Sequence, residues 1–384
     1  MNQKLTVPFF ICIRLVLGAV FVLSGFVKAA DPLGTAYKIA DYTNALHSGM
    51  QFPEEADVLL SVLLSAAELA AGTGMLLRAS AKLSLLLCIL FLSFFTPLTL
   101  WTAIADPVPD CGCFGDAVVL TNLETFLKNA VLLTMAVSLY IYNKPVVKNR
   151  HHLSSFVFPV SFMCSIALSS YALYSLPPID FRPFRVGADI RKGMLSPNGA
   201  EKPLYVTRFI MERNGVRKTF TLEDYPDSTW TLVETIIKQV SKGDEPLIKD
   251  FCLKTVHGRD DITDSILSAK KACLLFMPYT ESASRKNAEK CNYLYEEAAA
   301  SDIPFYAVTA STASGIMEWR RVTGAVYPFL QMDATTIKTI IRSSPGLVLL
   351  EYGTVKGKWS HNTLPKSLFS SAANSNAVDT YSRR

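Results

Sequence analysis

Charge is scarce in this 384-residue chain. Asp, Glu, Lys and Arg make up 18% of it, against about 25% in average soluble domains. Hydrophobic residues reach 50%, and mean hydropathy is +0.25. That balance, with 11% aromatics, excludes a disordered chain. A net charge of +5 is too small for the footprint of a nucleic-acid binder, so no nucleic acid is expected as a partner. Eight cysteines are too few for a disulfide-dense scaffold, and 19 Gly with 20 Pro exclude a collagen-like chain. No Walker loop, dinucleotide glycine fingerprint, His-Glu-x-x-His or nucleophile elbow occurs, so an ATPase or hydrolase has no support.

What the chain does have is long apolar runs. Five approach the roughly 20 residues needed to cross a bilayer. They are Val7–Phe26, Val58–Leu77, Leu83–Ala103, Phe126–Tyr142 and Leu153–Leu176. The first two each carry a charge, Arg14 and Glu68. Loops 78–82 and 143–152 hold Arg78, Lys82, Lys144, Lys148 and Arg150. Loops 29–57 and 104–122 are acidic, with Lys38 the single basic residue between them. The positive-inside rule places the basic loops and the N-terminus in the cytoplasm, and the acidic loops outside. Lys128 is a mild exception. Five spans then deliver everything after Pro177 to the outer side. A cleaved leader over 1–31 is the weaker reading, because Arg14 interrupts the apolar run and Lys28 is poor beside a cleavage site.

Composition changes after Pro177-Pro178. Residues 179–245 read as a linker with a hairpin, Tyr205–Met211 and Val216–Leu222 around Asn214-Gly215, followed by helical spacing over Trp230–Ser241. From Pro246 strands and helices alternate: strand Ala272–Met277, helix Ser282–Ala300, strand Ile303–Thr309, helix Ala313–Val322, strand Tyr327–Met332, helix Ala334–Arg342, then Gly346–Leu350 and Val355–Trp359. The order over 246–365, with Pro345 before the penultimate strand, resembles the thioredoxin fold. That resemblance implies a cis peptide at Pro345 beside the active position. The same position carries no Cys-x-x-Cys: Glu281 and Ser284 stand where the cysteines would be. The domain is therefore expected to dock a partner rather than exchange thiols. Cys252 and Cys273 read as small buried hydrophobes, and with Cys291 they show no paired spacing. Residues 366–384 read as a disordered tail.

The sharpest motif is Asp110-Cys111-Gly112-Cys113-Phe114-Gly115-Asp116, in an outward loop. An extended Cys-x-Cys holds its Cα atoms near the limit of roughly 6.8 Å for a disulfide, so closure needs a tight bend that Gly112 permits. Strained disulfides are the more oxidising and labile ones. Three readings fit the loop: a redox pair Cys111/Cys113, a structural clamp, or a copper site completed by His47 or Met50. Zinc lacks two ligands at any familiar spacing, so no metal is assigned. Arg14 and Glu68, inside antiparallel spans, are the candidate intramembrane pair, either structural or with a proton or quinone role. Lys28, near a span end, reads as a snorkelling side chain. His151-His152 lie on the opposite side from the cysteines.

Arg14-Leu-Val-Leu-Gly18, Ser24-Gly25-Phe-Val-Lys28 and Glu68 with Gly72 and Gly74 resemble the DoxX-like membrane proteins. The Asp-Cys-Gly-Cys-Phe-Gly loop is similar to that of their MauE branch. The resemblance spans residues 8–142 and implies a four-helix membrane domain over 1–145. It also implies a role in maturing disulfide-containing periplasmic partners, and it makes a quinone the candidate cofactor. The span over 146–178 and the thioredoxin-like tail go beyond the basic family. The expectation is thus a multi-pass α-helical bundle followed by an α/β thioredoxin-like domain. It would sit in a bacterial inner membrane with its tail in the periplasm, serving a thiol protein or envelope assembly partner. Its rivals are a non-catalytic scaffold and a copper or small-molecule handling protein.

Overall fold

The computed structural model describes residues 3–46, 53–108, 111–142, 154–195, 204–213, 216–221, 224, 226, 229–241, 246–256 and 260–368. Among the described residues, five helices are long and apolar enough to cross a membrane: α1 (Gln3–Ala30), α3 (Glu54–Leu77), α4 (Ala81–Ala105), α5 (Asn122–Tyr142) and α6 (Ser154–Tyr174). The protein is a multi-pass membrane protein. Each helix presents large side chains outward, among them Phe9, Leu59, Phe94, Val131 and Phe156. An apolar exterior of this kind needs hydrocarbon rather than water around it.

Small residues set the helix packing. A Cβ on Gly25 would lie 2.4 Å from the Leu69 backbone, and one on Gly72 would lie 2.5 Å from Val22 N. Glycine at both points therefore lets α1 and α3 touch backbone to backbone, as small residues do in membrane interfaces. α6 lies against the same pair, with Ser169 donating to the Ala29 carbonyl at 3.2 Å. An additional helix, α2 (Pro32–Ala45), follows α1 in the acidic segment. Asp31 caps it by accepting from Gly34 N at 3.0 Å, and Pro32 opens it.

Beyond α6 the backbone folds over one end of the bundle. A short helix α7 (Ile190–Met194) precedes a three-stranded antiparallel sheet, β1 (Leu204–Arg213), β2 (Val216–Thr221) and β3 (Thr231–Ser241), in the order β2-β1-β3. Residues 230–241 are expected to be helical, but Thr231–Ser241 form β3 instead. Their β-branched Val233, Thr235, Ile236 and Ile237 suit a strand, and the ladder with β1 decides the outcome.

The second sheet has six strands: β4 (Lys254–Thr255), β5 (Ala272–Met277), β6 (Phe305–Thr309), β7 (Phe329–Gln331), β8 (Gly346–Glu351) and β9 (Thr354–Ser360). Their order is β4-β7-β6-β5-β8-β9. β5, β6 and β7 are parallel, whereas β8 and β9 run antiparallel to their neighbours. Helices α8 (Thr263–Ser268), α9 (Ala288–Ala300), α10 (Ala313–Thr323) and α11 (Ala334–Ile340) complete a thioredoxin-like α/β unit. β5 is buried throughout, as its unbroken apolar run requires. The Ser344–Pro345 peptide is cis. α9 starts at Ala288, later than expected, so Glu281 and Ser284 lie in the turn before it, where Ser284 N donates to Ser344 O at 2.9 Å.

The segment after α6, read as linker, is built into this unit. Phe184 and Ile190 join Phe251, Leu274 and Val355 in its core. The unit also rests on the membrane helices: Ser360 Oγ and Asn362 Nδ2 donate to the Tyr174 carbonyl at 2.9 and 3.0 Å.

Candidate active site

The Cys loop joins α4 to α5. Asn122 anchors its two ends, donating to Asp106 Oδ1 at 2.8 Å and to the Val108 carbonyl at 2.9 Å. Asp110 lies outside the described residues. Gly112 turns with φ +63°, and Gly115 N closes onto the Gly112 carbonyl at 3.0 Å. That left-handed conformation is one L side chains rarely adopt. A Cβ there would also strike Lys38 Cγ at 2.9 Å. The turn lowers Phe114 into the protein, where the Lys128 ammonium lies 4.4 Å from its ring centroid.

Beneath the loop is a cavity of about 100 Å3, lined by Cys111, Cys113, Ser24, Lys28, Glu68, Phe95 and Lys128 among others. Glu68 and Lys28 form a buried ion pair across it, with Lys28 Nζ 2.7 and 2.9 Å from the two carboxylate oxygens. Ser24 Oγ lies 2.8 Å from both Glu68 Oε2 and the Cys113 carbonyl, linking pair and loop. Lys28, Lys38 and Lys128 line this cavity together with the two cysteines and Glu68.

The two thiols are not equivalent. Cys111 Sγ accepts from Cys113 N at 3.3 Å. The Cys113 thiol, hydrogen-bonded to Cys111, is the largest influence holding the Cys111 pKa well below the ordinary thiol range. Burial opposes this, while the Cys113 N–H and the Lys128 charge reinforce it. The same interaction between the two free thiols, with burial, pushes Cys113 up. The pair therefore favours a Cys111 thiolate beside a neutral Cys113 thiol, the form in which one sulfur is nucleophilic.

Arg14 and Glu68 are not brought together. Gly25 packs against Leu69 and Gly18 against Leu76, so Glu68 is level with Ser24–Lys28. Arg14 lies ten or more residues away along α1, roughly 15 Å at 1.5 Å per residue. It donates instead to the carbonyls of Met75 and Leu76 (2.9 Å to the latter), at the end of α3. Lys28, taken for a snorkelling side chain, is buried and is the true partner of Glu68. Its spacing after Ser24 was the signal that could have found it. Among the described residues no cluster suits a metal ion, and His47, Met50, His151 and His152 lie outside them. Elsewhere, Cys273 and Cys291 are buried, and burial pushes both thiols up to about 12. Cys252, half-buried, donates to Asp261 at 3.3 Å.

A bundle of membrane helices holding a dithiol loop at one end, with an α/β unit laid over it, is the class of protein these features define. Residues 6–142 match the family model described as methylamine utilisation protein MauE. Residues 205–242 match a domain of unknown function (DUF8463). No curated protein matches the chain. The α/β region is similar to a solution structure of a candidate protein disulfide isomerase from Bacteroides thetaiotaomicron. Identity there is 16% and the TM-score 0.26, covering 33% of this chain and 84% of that one.

Proposed function

We propose that this protein is a membrane thiol-redox protein whose Cys111 and Cys113 exchange a disulfide with a partner. The observation that carries the reading is the placement of the pair: two free thiols two residues apart line one cavity with Lys28, Glu68 and Lys128, and Cys111 Sγ accepts the Cys113 N–H at 3.3 Å. In reduction of a partner, Cys111 attacks the partner disulfide and one partner thiolate leaves. Cys113 then loses its proton and attacks Cys111 in the mixed disulfide. The second partner thiol leaves with the electron pair, and Cys111–Cys113 is left oxidised. Partner oxidation, the direction needed for disulfide maturation, is the reverse. The α/β unit has Glu281 and Ser284 at its own active position and so contributes docking surface rather than a thiol.

The acidic loops support a site on the periplasmic side of a bacterial inner membrane, an oxidising compartment in which a thiol protein or envelope assembly partner would meet it. The test is to trap thiols in intact cells with a membrane-impermeant alkylating reagent across a series of redox potentials. Mass spectrometry of the 105–122 peptide then reports their state. A mixed population shifting at a moderately oxidising potential is expected. A bond that stays oxidised under strongly reducing conditions would overturn the reading in favour of a clamp.

A further inference from the structure

We infer that Arg342, in the α/β unit, is a positioning residue for the Cys111–Cys113 pair, an inference that rests on the redox reading above. Arg342 is buried and reaches two carboxylates of the membrane unit. Its Nε lies 2.9 and 3.1 Å from the Asp31 oxygens, and a terminal nitrogen lies 3.0 Å from Asp116 Oδ2. Its other terminal nitrogen donates to the Lys338 carbonyl at 2.5 Å. Its guanidinium also faces the Tyr37 ring at 5.4 Å, beside Lys338 at 4.6 Å.

Both carboxylates adjoin the redox residues. Asp116 follows Cys113 by three positions in the same turn, and Asp31 follows Lys28 by three. One planar fork therefore ties the Cys loop to the helix end that carries the ammonium of the buried pair. The loop has no regular structure, so its shape depends on a few such ties: Asn122 at its ends, Ser24 at the Cys113 carbonyl, and Arg342 at Asp116. The Cys111 sulfur depends in turn on that shape, because it accepts the backbone N–H of the residue two places on. A part of the chain more than two hundred residues away thus sets thiol reactivity without touching a sulfur.

The experiment uses full-length reduced protein in nanodiscs. The alkylation rate of Cys111 by iodoacetamide is read by mass spectrometry from pH 5 to 9, alongside protease protection of the α/β unit. Arg342→Ala and Asp116→Asn are each expected to raise the half-point by about one unit, lowering the rate at pH 6 about fivefold. Arg342→Lys should restore part of the shift, and the double variant should go no further than either single one. An unchanged half-point in Asp116→Asn, or in Arg342→Ala with the unit still protected, overturns the inference. So does a loss of thermal stability without a shift in half-point. Should Arg342→Ala fail to fold, Asp116→Asn decides alone. A wild-type protein that titrates as an ordinary thiol would instead overturn the redox reading itself.

Discussion

Lys28 and Glu68 meet across the α1–α3 interface with an ammonium-to-carboxylate separation of 2.7 Å, inside a protein most of whose helix surface is apolar. Ser24 joins the carboxylate to the Cys113 carbonyl. The pair is costly to bury and costly to break, since removing one partner leaves the other charge unpaired.

Breaking it one side at a time should therefore be worse than removing it. Lys28→Met or Glu68→Gln alone is expected to cost about 3–5 kcal/mol, whereas the double variant recovers much of that. Thermal unfolding of the four proteins in detergent closes the cycle. Additive losses would show that the pair is not coupled.

The two thiols should trap partners differently. Cys113→Ser leaves the nucleophile without its resolving thiol, so mixed disulfides should accumulate on Cys111 in cells under oxidising conditions. Cys111→Ser should accumulate few. Non-reducing gels of the two variants compare them directly, and equal yields would contradict the assignment of Cys111 as nucleophile.

Reactivity should also vary with pH in a defined direction. Cys111 is pulled down to about 6, chiefly by the Cys113 thiol, so its alkylation rate should rise through that pH and be nearly flat by pH 8. An unassisted thiol would still be climbing there, with a midpoint of about 8.5. Cys113→Ala removes the donor and should move the midpoint upward. Rate measurements against pH on both proteins test the sign.

Close backbone contact makes a further prediction. Gly25→Leu or Gly72→Leu drives a side chain into the opposing backbone and should separate α1 from α3. Loss of the folded protein on size-exclusion chromatography is expected, whereas Leu63→Phe, at an exposed apolar site, should be tolerated.

The Cys loop, the five spans and the strand–helix order of the α/β unit were legible because each is written in contiguous residues. What depends on register was not. Glu68 chooses Lys28 over Arg14 because glycine contacts fix how far α1 slides along α3, a distance that no single span reveals. Residues 230–241 misled because their apolar positions fit helical spacing while their β-branching favours a strand. Only the pairing with β1 resolves it. The α2 helix had a readable start in Asp31-Pro32 but no apolar stripe to announce it. Phe184 and Ile190 were hidden in a stretch whose Pro, Gly and Arg content imitates a linker.

That last stretch limits the geometry of the whole protein. The chain leaves the final bilayer helix at Tyr174, and at Phe184 it is already inside the core of the α/β unit. Ten residues extend at most about 36 Å, and Pro177-Pro178 stiffens them further. There is little slack on which the unit could swing like a tethered arm between the bilayer and distant clients. On the redox function proposed above, exchange at the dithiol would be served by delivery: the client would diffuse to a fixed, roofed site, and selection among clients would fall to the shape of the gap between roof and membrane.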